Sequence, residues 1–195
     1  MSGTGECLDI LEGGAEPGPR PRWSAALVLL AVLGAGAWGL DHVGRVADYD
    51  ALFSCVQAGD AADTSVRAQI SMITDYIRPA LSSGPPPALR DGLFDLVRQR
   101  AADGVPQLVS ARDGCRAVRP LPWHTGLIQA RESYLTYLDT RLAVVQGIAR
   151  NGSLVYVQHP ELAEVWQQAR AALAAAAPNS EAAQRVRTLL SGPVG

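Results

Sequence analysis

The residues best suited to chemistry in this chain are concentrated in the segment 112–124, RDGCRAVRPLPWH. The members that could contact a ligand are Arg112, Arg116, Arg119, Trp123 and His124. A guanidinium group donates paired hydrogen bonds to carboxylate or phosphate oxygens, so three of them in one loop could bind a small anion. The alternative is a solvated loop in which the arginines pair with acids such as Asp113 and Trp123 closes the end of a helical bundle.

Residues typical of catalytic and metal sites are sparse elsewhere in the chain. The histidines are His42, His124 and His159, and none has a second histidine three or four positions away. Glu161 and Glu164 form E-x-x-E, not the E-x-x-H pair of di-iron bundles. The sequence contains no G-x-S-x-G, no H-E-x-x-H and no phosphate-binding glycine loop. We therefore predict no metal site, no cofactor and no enzyme activity, with a catalytic pair of His124 and Glu132 as the alternative.

An apolar run, 23–40, predicts where the rest of the protein resides. It contains no charged residue, and about 18 helical residues at roughly 1.5 Å each extend about 27 Å, close to the thickness of a bilayer's hydrocarbon core. Trp23 and Trp38 lie near its two ends, and indole rings favour the headgroup region. The run therefore predicts one transmembrane helix, because a helix of a soluble core normally carries polar residues on one face.

The charges that flank this run predict its orientation. Arg20 and Arg22 precede it, whereas Asp41 follows it, so the positive-inside rule places the N-terminus in the cytoplasm and residues from 41 onward outside. A cleaved signal peptide is the alternative, because residues 35–37 read A-G-A and resemble a cleavage site. In that case the protein is secreted after cleavage near Ala37. The length and the acidic residues of the first part of the chain favour an uncleaved signal-anchor.

Charge and composition narrow the functional classes further. All 17 basic residues are arginine, and two of them and four of the 19 acidic residues precede Trp23. The exported part is therefore neutral overall, and it lacks the positive field that attracts nucleic acids. Residues 1–22 are rich in glycine, proline and acid, and we predict that they form a disordered cytoplasmic tail. Abundant alanine and the use of arginine in place of lysine suggest a GC-rich bacterial genome.

The cysteines are divided between the two sides of the predicted membrane. Cys7 lies in the cytoplasmic tail, whereas Cys55 and Cys115 lie in the exported part. An oxidising compartment favours one disulfide between the latter two, which closes a loop of about 60 residues and stabilises the fold by about 4 kcal/mol. Two free thiols are the alternative. No C-x-x-C is present, so neither a thioredoxin-like site nor a cysteine-rich zinc site is expected.

Apolar residues recur at helical spacing through most of residues 41–195, and the alternation typical of strands is nearly absent. The pattern predicts an all-α ectodomain in the form of an antiparallel helical bundle. Asp60 or Asp63 is expected to cap one helix, and Gly104 is expected to end the next, before a loop over 105–121. The first predicted helix, 46–56, continues from the transmembrane segment. The other predicted helices cover residues 66–77, 88–103, 123–150, 159–177 and 180–191.

The longest predicted helix, 123–150, carries a leucine stripe flanked by Tyr134 and Tyr137. Such tyrosines usually bury the ring and leave the hydroxyl in water, and a role in lining a ligand groove is the alternative. Asn151 and Gly152 predict a left-handed stop to this helix.

The predicted organisation is a tail (1–22), a transmembrane signal-anchor (23–40) and an extracytoplasmic helical domain (41–195). We expect a non-catalytic module that binds a protein or another component of the cell envelope, because long helices with heptad-like stripes suit packing against a partner. The alternative is a binder of a small anionic ligand through the arginine loop.

Overall fold

The computed structural model describes residues 23–152 and 160–191, and within them it contains five α-helices and no strand. The all-α class predicted from the sequence is confirmed for this part of the chain. The predicted tail (1–22) and residues 153–159, which include His159, lie outside the described residues. The helices are α1 (Trp23–Ser82), α2 (Pro87–Ala117), α3 (Thr125–Asn151), α4 (Pro160–Ala176) and α5 (Ser180–Leu189).

The continuous helix α1 replaces the two separate helices predicted at 46–56 and 66–77. The prediction that Asp60 or Asp63 caps a helix is wrong. The carboxylate of Asp63 accepts hydrogen bonds from side chains of α1 and α3. An aspartate with such partners no longer competes for the backbone N–H groups of its own helix, so the helix continues.

The predicted stop at Gly104 is also wrong, because α2 continues through it and through Pro106 to Ala117. Gly104 is buried where α2 meets α1, and a Cβ there would lie 2.9 Å from both γ-carbons of Val66. This glycine therefore permits close helix packing and does not end the helix. Only residues 118–124 connect α2 to α3, so most of the loop predicted at 105–121 is helical.

Two helix boundaries are stabilised by local capping. Gly152 adopts the left-handed conformation with φ of 65°, as predicted, and donates its N–H to the Ile148 carbonyl at 2.7 Å. At the start of α5 the Asn179 side chain accepts a hydrogen bond from the Ala182 N–H at 2.8 Å. Both contacts satisfy backbone groups that have no partner within the helix itself.

The buried side chains after residue 40 form two clusters, and α3 contributes to both. The first joins α3 to α1, α4 and α5 and includes Cys115 of α2, and its largest members are Tyr49, Tyr134, Tyr137 and Trp166. The second joins α3 to α1 and α2, and its largest members are Ile70, Ile77, Leu108, Leu142 and Ile148. The helix with the clearest predicted stripe is therefore the central element of the core.

Tyr134 and Tyr137 are buried completely, contrary to the expectation that their hydroxyls reach water. The Tyr134 hydroxyl donates to the Val56 carbonyl at 3.1 Å, and the Tyr137 hydroxyl donates to Asp63 Oδ2 at 2.7 Å. Tyr137 also packs its ring against Trp166, with 4.6 Å between ring centroids. Each hydroxyl has a protein partner, so its burial leaves no unsatisfied donor.

The described chain divides between Leu40 and Asp41 into two compact units. In the first unit the large apolar side chains are exposed by 61–78%, and they are Leu27, Val28, Leu29, Leu30, Val32, Leu33, Trp38 and Leu40. Among the described residues, one helix is long and apolar enough to cross a membrane, and it contains this stretch. This helix is identified as a candidate membrane span by its length and composition, and a signal sequence near an N-terminus meets the same two criteria.

Gly59→Ala is expected to destabilise the domain, although alanine is favoured over glycine in a helix by about 1 kcal/mol. A Cβ at position 59 would overlap the hydroxyl oxygen of Tyr134 and lie 3.1 Å from its ring, which displaces the hydroxyl from the Val56 carbonyl. Gly92→Ala is the matched control, because a Cβ there meets open space. Thermal unfolding should show a lower midpoint for Gly59→Ala and a higher midpoint for Gly92→Ala. Equal midpoints for the two variants would contradict the close packing of Gly59 against Tyr134.

Candidate functional site

Two of the three predicted ligand-binding arginines are held by acids on neighbouring turns and helices. Arg112 and Arg116 lie in the last turns of α2, not in a loop. Both contact Asp139 of α3, with nitrogen–oxygen distances of 3.6 Å and 3.1 Å respectively. Arg112 also donates to the Asp113 carboxylate at 2.9–3.0 Å. These contacts match the alternative interpretation, in which the arginines pair with acids.

The structure does not collect the five predicted residues into one site. Arg119 is exposed in the connection after α2, and within the described parts of the chain it has no ion pair or hydrogen bond. Trp123 is 64% exposed, so it does not close the end of the domain. Trp123 and His124 instead contact two aspartates of α1.

His124 lies in the aspartate-bridged cluster, which we define as Asp41, Asp48, Trp123 and His124. The ring is nearly buried between the two carboxylates, with Nδ1 2.7 Å from Asp48 Oδ2 and Nε2 3.2 Å from Asp41 Oδ1. The Leu121 N–H donates to Asp48 Oδ2 at 2.8 Å, and the Trp123 indole N–H donates to Asp41 Oδ1 at 2.8 Å. The cluster thus fixes the α2–α3 connection to α1.

The chemistry available to His124 is limited by these contacts. A catalytic base needs a ring nitrogen that can reach the substrate's proton, and both ring nitrogens of His124 face protein carboxylates. Glu132, the alternative catalytic partner, forms an ion pair with Arg131. The hydrogen bond from Trp123, followed by that from His124, lowers the pKa of the Asp41 carboxyl. The arrangement stabilises ionised Asp41 and positions the connection.

No family model, curated protein or solved structure matches this chain. Within the described residues no three His, Cys, Asp or Glu side chains come together as a metal-binding group. The function proposed below is therefore inferred from the contacts of the chain's own residues.

The predicted cysteine pair is brought together in the structure. Cys55 of α1 and Cys115 of α2 lie at disulfide-bonding distance, with 5.2 Å between their Cα atoms, which is within the usual range for a disulfide. Cys115 is fully buried in the core. The pair links α1 to α2 through cysteines that are 60 positions apart in the sequence.

A second buried polar group, the Asp63 cluster, consists of Asp63, Arg67, Tyr137 and Arg141. Arg67 Nη2 and the Tyr137 hydroxyl donate to Asp63 Oδ2 at 2.5 Å and 2.7 Å, and Arg141 Nε donates to Oδ1 at 2.5 Å. Asp63 and Arg141 are 1% and 4% exposed. Burial, followed by the adjacent Asp63 carboxylate, raises the pKa of Tyr137. One carboxylate therefore faces two guanidinium groups and one tyrosine hydroxyl.

Sequence reasoning missed the acidic members of both clusters, although spacing carried a signal. Asp41 and Asp48 are seven residues apart, which places them on one face of a continuous helix. Asp63 precedes Arg67 by four residues, and Tyr137 precedes Arg141 by four, so each pair shares a helix face. The prediction of a helix break near residue 60 obscured the pairing of Asp63 with Arg67.

An open groove of about 430 Å³ lies beside the Asp63 cluster, between α1 and α3. Its charged lining residues are Arg67, Asp75, Arg78 and Arg141. Ile70 and Ile148 supply apolar surface at the same place. The groove therefore combines guanidinium donors with apolar side chains.

Asp60→Asn is expected to stabilise the domain at neutral pH. Burial, reinforced by the Asp63 carboxylate, raises the pKa of Asp60 above its ordinary value of 3.8. The folded state then binds more protons than the unfolded state between the two pKa values, so stability falls as pH rises through that range and the loss is complete above it.

Melting temperatures of Asp60→Asn and the parent protein, measured from pH 3 to neutral pH, check this prediction. The variant should melt higher at neutral pH, and the difference should vanish below the ordinary pKa, where both side chains are uncharged. Asp50→Asn, at an exposed position of the same helix, serves as the control and should show little change. A lower melting temperature for Asp60→Asn at neutral pH would contradict a raised pKa of Asp60 in the folded state.

Proposed function

We propose that this protein is a membrane-anchored, extracytoplasmic helical module that acts by binding a protein or another envelope component and not by catalysis. The observation that carries the proposal is the Cys55–Cys115 pair at disulfide distance in the unit that follows the apolar stretch. Stable disulfides form in exported compartments and are rare in the cytosol. The cysteine pair and the apolar stretch before it therefore both support a location outside the cytoplasm for this unit.

The exposure of the apolar side chains in residues 26–40 supports the anchor. Each large apolar side chain left in water forgoes about 1.5–3 kcal/mol of burial free energy. Eight such side chains are exposed in this stretch, and a bilayer is the environment that would cover all of them at once. Arg20 and Arg22, which precede the stretch in the sequence, favour a cytoplasmic N-terminus.

Contacts between the helices support an antiparallel bundle for the extracytoplasmic domain. Residues 55 and 66 of α1 meet residues 115 and 104 of α2, so these helices run in opposite directions. Residues 56 and 63 of α1 meet residues 134 and 141 of α3, so these two run in the same direction. Up–down–up order with short connections is typical of bundles.

Two features favour binding over catalysis. Both nitrogens of the nearly buried histidine face protein carboxylates, which leaves it unsuited to act as a base. Met72 and Tyr76, one turn apart on α1, are 69% and 73% exposed. Large apolar side chains at such spacing are the kind that a partner helix or groove buries.

Membrane fractionation with intact-mass measurement separates the anchor from a secreted form. The full chain, produced in a bacterial host, should remain in carbonate-washed membranes with residues 1–40 present. A soluble exported product that begins after about residue 37 would contradict the anchor and would show that the apolar stretch belongs to a cleaved signal peptide.

Binding is tested in intact cells with a photo-crosslinking residue at position 76, and at the exposed Gln57 as the control. A crosslinked species specific to position 76 is expected. Equal or absent crosslinking at both positions would contradict this surface as the binding face.

A further inference from the structure

We propose that the groove beside the Asp63 cluster binds a small amphipathic anion, with a carboxylate or phosphate head and an apolar part. The head would contact the guanidinium groups of Arg67, Arg78 and Arg141. The apolar part would pack against Ile70 and Ile148. This site goes beyond the proposed function, and it does not depend on where the domain resides.

The charge of the groove favours an anionic ligand. Asp63 is shared by Arg67 and Arg141, so these three groups together carry one positive charge. Arg78 adds a second positive charge and Asp75 removes one, both at the groove lining. Asp60 interacts with Asp63 and Arg67, and neither Asp60 nor Asp63 lines the groove; counting both carboxylates leaves no net charge. The lining alone carries three guanidinium groups against the single carboxylate of Asp75, so the surface that a ligand meets is positive.

The donors are also fixed in place before a ligand arrives. The Arg141 side chain is 5% exposed, and its Nε donates to Asp63 Oδ1. The carboxylate therefore orients the guanidinium plane, and the remaining N–H donors are the ones that a ligand would contact. Donors held in this way lose little conformational entropy on binding, which favours affinity.

The size and apolar surface of the groove define the class of ligand. A volume of about 430 Å³ falls in the usual range for small-molecule sites, roughly 300–1,000 Å³. Ile70 and Ile148 are 6% and 2% exposed, so they form the apolar base of the groove, and the exposed Ala68 adds apolar surface beside them. An inorganic anion would leave that surface uncovered, whereas an anion with a ring or a short chain would cover it.

The test uses the full chain in lipid nanodiscs at constant ionic strength, with benzoate and phenyl phosphate as probes. Inorganic phosphate and benzyl alcohol are the matched controls, since each carries only one half of the ligand chemistry. Calorimetric titration and the thermal midpoint, followed by tryptophan fluorescence, report binding. We expect one or both aromatic anions to bind and to raise the midpoint through mass action, and the stronger probe identifies carboxylate or phosphate as the head.

Two substitutions place the ligand in the groove. Arg78→Gln removes an exposed donor of the lining and is expected to weaken binding about tenfold. Ser71→Glu adds a negative charge to the lining and should abolish binding. Arg90→Gln removes another exposed arginine, which lies outside the lining, and should leave affinity unchanged.

Three results would overturn the proposal. The first is that neither aromatic anion binds the parent protein. The second is that Arg78→Gln and Arg90→Gln bind the aromatic anions equally well. The third is that inorganic phosphate or benzyl alcohol binds as tightly as the aromatic anions do. The thermal midpoints of the free variants show in the same experiment that each one is folded.

Discussion

Replacing both Cys55 and Cys115 with serine is expected to lower the free energy of unfolding by about 4 kcal/mol. The two cysteines are 60 positions apart, and a bond that closes a loop of that length removes a large part of the unfolded chain's conformational entropy. For a domain of about 150 residues, a loss of this size corresponds to roughly 8–16 °C in the thermal midpoint. Thermal or denaturant unfolding of the full chain measures it.

Two controls separate the crosslink from the loss of buried sulfur. Cys7→Ser leaves the disulfide intact and should leave the midpoint unchanged. Chemical reduction of the parent protein also breaks the crosslink, so it should lower the midpoint nearly as much as the double substitution does. Its effect should be slightly smaller, because Cys115 stays in the core as a small apolar side chain. A midpoint that responds to neither reduction nor substitution would contradict the disulfide.

Asp63→Asn is expected to lower the free energy of unfolding by about 3–5 kcal/mol. The substitution keeps the size of the side chain but removes the charge that pairs with Arg141 Nε and Arg67 Nη2. Arg141 is almost inaccessible to water, so its guanidinium would be left as an uncompensated buried charge. Urea unfolding of the variant and the parent protein measures the difference.

A double substitution tests the cause of that loss. Adding Arg141→Met to Asp63→Asn removes the uncompensated charge and should restore part of the stability, which a double-mutant cycle quantifies. Asp60→Asn, three residues earlier on α1, is the matched control and is expected to change stability in the opposite direction. A loss below about 1 kcal/mol for Asp63→Asn, or full additivity in the cycle, would show that Arg141 does not depend on Asp63.

The all-α class and the end of α3 could be predicted because local signals decide them. Helical spacing of apolar residues needs only neighbouring positions, and Gly152 supplies the left-handed stop by itself. Continuity of α1 and α2 could not be predicted in this way. Whether Asp63 ends a helix or lies within one depends on its partners in α3. Whether α2 continues through Gly104 depends on the packing of that glycine against Val66 of α1. Such tertiary contacts override local preferences.

The candidate sites show the same division. The cysteine pair was predictable because only two cysteines follow the apolar run, and pairing them needed no geometry. Pairing of Arg112 and Arg116 with acids was one of the two interpretations of the sequence, but their shared partner Asp139 could not be identified because it is more than twenty residues further along the chain. The groove arginines were overlooked because Arg67 and Arg78 belong to one helix and Arg141 to another.

Labelling of the full chain in intact bacterial cells with a membrane-impermeant maleimide tests whether the domain is exported and disulfide-linked. We expect no labelling before reduction, because Cys55 and Cys115 are paired and Cys7 lies in the cytoplasm. After an impermeant reductant and mild unfolding that leaves the membrane sealed, Cys55 and Cys115 should react while Cys7 stays protected. Labelling of Cys7 alone, or free Cys55 and Cys115 before reduction, would contradict an exported, disulfide-linked domain behind a membrane anchor.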